Sequence, residues 1–398
     1  IYSNTPMDFD YLLKHSRTKM SRRQFVQHLK KTDLVFPAIH GTFGEDGQLQ
    51  KILEDSGVDF VGSGSKSCRI TNNKHECSAF LKKHGFYQLP NYPVKKGCPL
   101  PKIPDGKYVV KPQNGGSSIG VYIVNSRQEL EEKIKKVFEI DEYAIIEPFC
   151  EGKEFTLIVL DGVALVPTEI EFAGDTLFDY RKKYLATGDT RYHTPARFSR
   201  SVIQEIRSQA QKIFALLEMR DMARMDGWIM PDGNIWFSDI NAISGMEQNS
   251  FLFQQPAMLG MSHRQTLEYI LNKKIRSGII DASKKDIPII FGGSSAERQV
   301  SIMSGTNVYI KLKSSKKYRP VPYFFSRNGK FFSVPHFLCL HHTAEEIEER
   351  IGQFQNPEYL DLIRFWQREI LPKLGIDLSE IDEPIFLPEA FTMEQLAK

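Results

Sequence analysis

The chain has 398 residues, a formal net charge of +3, 41% hydrophobic and 25% charged residues. Such values belong to an ordinary globular protein of two or three domains, and so small a net charge gives no basis for binding nucleic acid. The five cysteines (Cys68, Cys77, Cys98, Cys150, Cys339) form no Cys-x-x-Cys pair, no apolar run is long enough to span a bilayer and no signal peptide is visible, so the reading is a cytoplasmic protein with reduced thiols, no zinc site and no membrane.

The chain begins at Ile1 rather than a methionine, which reads as a chain trimmed or cut from something longer. Residues 1–31 are polar and basic with a helical pattern through Phe25, Val26 and Leu29. Residues 33–39 read as a short apolar strand running into His40-Gly-Thr-Phe-Gly-Glu-Asp-Gly47. A strand that ends in a polar, glycine-rich loop is where α/β folds place ligands, so His40 reads either as an anion contact or as a histidine satisfied within a tight turn. A helix is expected over 48–55, a strand over 58–61 and a further helix opening at Lys74.

The strand Lys107-Tyr-Val-Val110 leads into Lys111-Pro-Gln-Asn-Gly-Gly-Ser-Ser-Ile-Gly-Val121. Glycines that expose backbone N–H groups, the hydroxyls of Ser117 and Ser118, and the charge of Lys111 together make a phosphate cradle. The lysine precedes the glycines, so this is not the Gly-x-x-x-x-Gly-Lys-Ser/Thr loop, and a glycine-rich hairpin with a surface lysine is the plainer alternative. A helix over 128–138 and strands over 143–147 and 155–160 follow, with Asp161-Gly162 marking a hairpin turn into 163–166. The basic, aromatic loop 178–184, with Arg181, Lys182, Lys183 and Tyr184, reads as a lid over phosphates or as an exposed loop of solvated charges.

Ser201-Val-Ile-Gln204 reads as a capping box opening a long amphipathic helix. Then 223–230 and 234–241 flank the turn Pro231-Asp-Gly233. Residues two apart on a strand share a face, so Arg224 sides with Asp226, and Asp239 with Asn241. Two carboxylates and an amide oxygen suit Mg²⁺, a hard cation that keeps substrate phosphates in its shell, and Arg224 beside them is suited to developing negative charge. A solvated hairpin face with a cross-strand ion pair is the alternative. The polar loop 244–250, with Gly245 and Ser250, is a further candidate substrate contact.

In this order the motifs resemble those of the ATP-grasp superfamily and, within it, the D-alanine–D-alanine ligase family, over roughly residues 33–275. The resemblance implies an α/β and α+β multidomain ATP-grasp fold. It places Lys74 and Lys111 on the ATP phosphates, with Ser118 in the loop above them. The adenine would sit against the backbone of Glu147, Pro148 and Cys150, the ribose against Glu154, and Lys183 in the lid. Asp226, Asp239 and Asn241 match the ligands of two Mg²⁺ ions (Mn²⁺ as a substitute), Arg224 and the Gly245 N–H match an oxyanion site, and Ser250 the acceptor's carboxylate contact. The family's dimeric habit is carried with it. Two departures stand out: Asp239 where the family has Glu, and Ser244 where it has Pro.

The run Gly-Gly-x-Ser-x-Glu-Arg-x-Val-Ser, with which the family begins, is absent before His40 and appears as Gly292 to Ser301. The Asn328-Gly329 hairpin follows, and Thr343 to Glu346 caps an amphipathic helix. The expected layout is therefore a split, Rossmann-like domain of residues 1–62 plus 286–398, a central ATP-grasp subdomain of residues 63–147, and a second of residues 148–285 carrying lid and metal site. Each motif occurs once, which favours one ligase in permuted order over a slice across two tandem ligases. By resemblance Glu297 holds the first substrate's ammonium and joins Ser117 and Tyr184 in a hydrogen-bonded triad, with His40 beside the reacting carboxylate. The implied reaction is ATP-dependent ligation of two D-alanines through an acyl phosphate, for peptidoglycan synthesis. Alternatives are a ligase of the D-lactate or D-serine type, and a catalytically silent nucleotide-binding homologue. The strand 287–291 is nearly all apolar, so burial on both faces is expected of it.

Overall fold

The computed structural model describes residues 27, 34–37, 40–41, 43–114, 120–172, 190–271, 284–293, 298–316 and 318–391. The candidate residues Ser117, Ser118, Lys183, Tyr184 and Glu297 therefore lie outside the described residues. Among the described residues the first helices are α1 (Gln48–Ser56), α2 (Ser65–Asn72) and α3 (Lys74–Lys83). Asn73 sets the start of α3: its side chain accepts from the Glu76 N–H at 3.0 Å, satisfying one of the donors a helix start leaves open. The strands expected at 33–39 and 58–61 contribute, among the described residues, one parallel bridge of Val35 with Phe60.

The next unit is an antiparallel sheet of four strands, β1 (Tyr92–Lys95), β2 (Tyr108–Pro112), β3 (Tyr122–Val124) and β4 (Tyr143–Pro148), in the order β1-β4-β2-β3. One helix, α4 (Arg127–Val137), covers it by packing Leu130, Ile134 and Val137 against Val110, Ala144 and Ile146. A second sheet follows, from β5 (Lys153–Leu160), β6 (Val163–Ala164), β7 (Thr168–Phe172), β8 (Thr190–His193), β9 (Met222–Ile229) and β10 (Ile235–Asn241). Its order is β10-β9-β5-β7-β8, with β6 on β5 across the Asp161-Gly162 turn. Helix α5 (Arg200–Leu216) lays Ile206, Ala210, Ile213 and Phe214 on Phe155, Leu157 and Val159. Its cap is Ser199, whose hydroxyl accepts from the Val202 N–H. The box read at Ser201 is thus displaced, because the helix begins at Arg200 and Ser201 already lies in its first turn. Two short helices close this part, α6 (Phe251–Met258) and α7 (His263–Ile270).

Towards the carboxy-terminal end, β11 (Lys285–Gly292), α8 (Arg298–Lys313) and β12 (Tyr318–Phe325) form a parallel βαβ unit. The Asn328-Gly329 turn returns the chain into β13 (Phe331–Ser333), and Gly329 takes the φ of +75° that such a turn requires. Helices α9 (Ala344–Phe354), opened by the capping box of Thr343 and Glu346, and α10 (Pro357–Ile370) follow, and β14 (Glu389–Phe391) pairs with β13. Burial of β11 on both faces is corrected. Ile289 and Phe291 are buried, but Ile290 is 49% exposed. Alternate residues point to opposite faces, and α8 lies on one of them, its Gly305 so close that a Cβ would meet Phe291 at 2.4 Å.

The largest apolar cluster joins parts distant in sequence. Val61 and the partly buried Phe36 belong to it together with Leu252 and Met258 of α6, Ile289 and Phe291 of β11, Phe324 of β12 and Trp366 of α10. A polar seam borders that cluster: the Tyr359 hydroxyl donates to Thr194 O at 2.8 Å, the Gln367 amide to Leu259 O at 3.1 Å, and Ser262 to the Asp382 carboxylate at 2.7 Å.

Candidate functional site

Strands β9 and β10 pair antiparallel, and their register shifts between Phe237 and Asp239. Before the shift Phe237 faces Gly227; after it Asp239 faces Asp226, and Asn241 faces Arg224. The residue inserted is Ser238. Strict alternation would put Asp239 on the face of Ile235 and Phe237, which are buried in the apolar cluster. The bulge turns it to the other face, so Arg224, Asp226, Asp239 and Asn241 converge there, each half-buried.

Every one of these groups is held. Arg224 Nη2 lies 3.1 Å from Asp226 Oδ2. The Asn241 amide donates to the same carboxylate at 3.3 Å. From the neighbouring strand β5, whose Thr156 stands opposite Asp226, the Thr156 hydroxyl donates to Asp226 Oδ1 at 2.7 Å. Thr156 was not among the sequence candidates; only the pairing of β5 with β9 brings it there. Lys74 Nζ, from the first residue of α3, reaches Asp239 Oδ1 at 3.1 Å. Two carboxylates and an amide on one face are hard oxygen donors, and a hard divalent cation fits that set. Among the described residues no three His, Cys, Asp or Glu side chains gather as a metal site; the third donor here is an amide.

The start of α3 is pinned to the cradle strand. The Lys74 N–H donates to Gln113 O at 3.1 Å, and Asn73 bridges Asn114. Lys74 and Lys111 thus stand at the end of β2, just before the glycine-rich segment. Lys111 Nζ lies 2.6 Å from the buried Glu147 Oε2. Glu147 was expected to act through its backbone; its side chain is the partner of Lys111. Pro148 ends β4. Cys150 is buried beside Met230, 3.3 Å between sulfurs, and burial raises its thiol pKa. Glu154, on β5, stands opposite Trp228 of β9 and Ile170 of β7.

His40 is exposed on one side and faces Glu45, with Nδ1 3.5 Å from Oε1. Its pKa is raised, first by the hydrogen bond with Glu45; burial opposes this, and the charges of Glu45, Glu247 and Arg224 also reach it. His40 therefore lies within electrostatic reach of Arg224 and of Glu247 in the 244–250 loop. At Gly245 a Cβ would meet the Glu247 carboxylate at 2.5 Å, so that side chain packs directly over the glycine. Ser250 caps α6, and its buried hydroxyl has no hydrogen-bond partner among the described residues; the same holds for Ser244. A buried hydroxyl of this kind is open to ordered water or to a ligand.

Comparison with known proteins agrees with this geometry. The model "D-ala D-ala ligase C-terminus" matches residues 105–272, and "D-ala D-ala ligase N-terminus" matches residues 5–63 and 286–369, the two ends of the chain. The D-alanine–D-alanine ligase of Syntrophotalea carbinolica is 32% identical over 255 residues, covering 63% of this chain and 82% of the relative. That of Lacticaseibacillus casei is 31% identical, covering 68% and 76%. Among solved structures, the D-alanine–D-alanine ligase of Bacillus anthracis superposes with a TM-score of 0.56 at 26% identity, covering 64% of this chain and 84% of that one. The VanG D-Ala:D-Ser ligase of Enterococcus faecalis superposes with 0.54 at 28%, covering 61% and 73%. With both family models matched and most of each relative's length covered, the chain belongs to the D-alanine–D-alanine ligase family.

Proposed function

We propose that the protein is an ATP-dependent ligase that joins D-alanine to D-alanine through an acyl phosphate, for peptidoglycan precursor synthesis in the cytoplasm. The observation that carries this reading is Lys74, whose backbone is hydrogen-bonded to the end of the strand that bears Lys111 and whose ammonium reaches Asp239 of the hairpin that also carries Asp226 and Asn241. The γ-phosphoryl group passes from ATP to the carboxylate of the first D-alanine, leaving ADP. The amine of the second D-alanine then attacks the carbonyl, losing a proton as phosphate departs.

Catalysis of this kind is positioning and charge neutralisation. Lys74 and Lys111 hold the phosphates. Arg224 and the Gly245 N–H offset the negative charge that develops on the reacting carboxyl group. Ser250 takes the acceptor's carboxylate, and His40 stands beside the first one. Asp226, Asp239 and Asn241 would hold Mg²⁺, which when bound neutralises the triphosphate. Asp239, one methylene shorter than the family's Glu, is held by Lys74. Glu297, Ser117 and Tyr184 complete the first-substrate site in this reading, with Ser118 and Lys183 closing over the phosphates.

Residues 1–62 and 286–398 would form one domain, in an order permuted relative to the family. The split match to one family model and the apolar cluster shared by Val61, Ile289 and Phe324 support that grouping. A D-serine acceptor is the second reading, favoured by the buried hydroxyl of Ser244 where the family has Pro and by the likeness to a D-Ala:D-Ser ligase. A phosphate-release assay with ATP, Mg²⁺ and D-alanine, alone and against D-serine and D-lactate, tests both. D-Alanine as the better acceptor supports the first reading, D-serine the second; nucleotide binding without phosphate release would leave a silent homologue.

A further inference from the structure

From the Lys111–Glu147 pair a line of side chains continues through Asn91 and His75, which none of the family motifs above includes. Lys111 Nζ lies 2.6 Å from Glu147 Oε2. The other oxygen, Glu147 Oε1, accepts from Asn91 Nδ2 at 2.9 Å. Asn91 Oδ1 is 2.7 Å from His75 Nδ1. His75 follows Lys74, whose own ammonium reaches Asp239 at 3.1 Å. The first turn of α3 therefore touches both lysine–carboxylate pairs of the site.

The direction of each bond is fixed by chemistry. Glu147, partner of an ammonium, accepts. Asn91 must then turn its NH₂ towards Glu147, which leaves its oxygen for His75. His75 must donate from Nδ1, so its neutral form is held as the Nδ1–H tautomer. A lysine ammonium sits on a flexible four-carbon stem with three donors; Glu147 takes one and fixes where the others point. Glu147 in turn is fixed only if its second oxygen is held, which is what Asn91 does.

We propose that Asn91 and His75 are positioning residues for nucleotide: they hold Glu147, and through it hold the Lys111 ammonium at the end of β2 where phosphate is bound. This rests on the ATP reading above. A site held in place before the ligand arrives does not charge the ligand with the ordering of the lysine. A link that merely braces the fold would alter stability and leave affinity alone.

The test uses the full chain. Asn91→Leu and His75→Phe cut the line at similar volume, while His75→Asn keeps an N–H donor near the Nδ1 position. Affinity for the β,γ-imido analogue of ATP is measured by calorimetry, beside KM for ATP and for D-alanine and the melting temperature. We expect the Kd of the analogue and KM for ATP to rise about tenfold in Asn91→Leu, the loss of one hydrogen bond to a charged group, and about threefold in His75→Phe, which loses one to a neutral amide. KM for D-alanine should stay within about twofold, and His75→Asn should restore nucleotide affinity. Wild-type affinity in the folded Asn91→Leu and His75→Phe variants, with or without a lowered melting temperature, overturns the inference. So does His75→Asn binding as weakly as His75→Phe. A wild-type chain that binds no nucleotide overturns the ATP reading and this inference together.

Discussion

Asp226 is the most connected group of the site: Arg224, Thr156 and Asn241 all reach its carboxylate. Replacing the carboxylate by an amide leaves the strand pairing intact and removes charge from the cluster that faces the phosphates. Asp226→Asn should lower phosphate release by about a hundredfold or more, the scale of losing one preorganised charge partner, with an unchanged circular dichroism spectrum. Near-normal Mg²⁺-dependent release in that variant would remove the metal assignment. Ser250 makes the opposite kind of case. Its hydroxyl is buried without a partner among the described residues, so deleting it costs the free protein little. Ser250→Ala should raise KM for the acceptor about tenfold while the melting temperature holds or rises; an unaltered acceptor KM would take Ser250 out of the site.

At the scale of elements, the bulge at Ser238 decides the site. The bulge absorbs Ser238 as an extra residue, so deleting Ser238 leaves Asp239 directly after Phe237 in a regular strand, on the face opposite Phe237 where it already stands. We expect the deletion variant to keep turnover while its melting temperature changes, and Ser238→Ala to leave both near normal; a folded deletion variant without turnover would show that the local twist of the bulge, and not the facing alone, sets the site. The seam between α6, α7 and the carboxy-terminal segment carries a different consequence. Burial pushes His263, His336 and His341 below the ordinary histidine value of 6.5, and His342 down to about 4. His342 Nδ1 lies 2.7 Å from the Asn249 amide, and His263 Nε2 lies 2.7 Å from Gln248 O. As pH falls from 6.5 towards 4 the unfolded chain takes up protons that the folded chain refuses, so stability declines. Glu346 works against this: burial raises it to about 7, so its contribution weakens as pH rises from 4.5 to 7. Four histidines outweigh one carboxyl. The melting temperature should therefore drop between pH 6.5 and 4, more shallowly in His342→Gln; a flat profile would show that these histidines charge freely in the folded state.

For the whole molecule the question is order. The cluster that holds Val61, Ile289, Phe324 and Trp366 together gives the two chain ends a common core. The carboxy-terminal end forms a four-stranded sheet of its own, whereas the amino-terminal strands contribute one bridge among the described residues, and a unit that small is marginal alone. If both ends form one domain, a reordered chain with residues 286–398 placed ahead of 1–285 through a flexible linker should fold and release phosphate at a rate like that of the parent. A reordered chain that folds but is inactive, beside an active parent, would favour the tandem reading.

Much of this was legible in the residues themselves. The Lys111 strand, the Asp-Gly and Asn-Gly turns, the hairpin of Asp226 and Asp239, and the Gly292 to Ser301 run out of place are local patterns, and local patterns follow from backbone chemistry and a two- or 3.6-residue period. What alternation could not supply was the shift at Ser238: read strictly, it sends Asp239 to the apolar face, and only pairing against β9 shows the inserted residue. Nor could it supply Thr156 on Asp226 or Asn91 and His75 on Glu147, since these contacts join segments far apart in the chain or on different elements. The exposed Ile290 has the same origin, for an apolar strand states that it wants burial, not how many of its faces a helix will cover. Periodicity belongs to the chain, whereas register, facing partners and covered faces belong to the packing of one element on another, which the sheets and the shared apolar cluster decided.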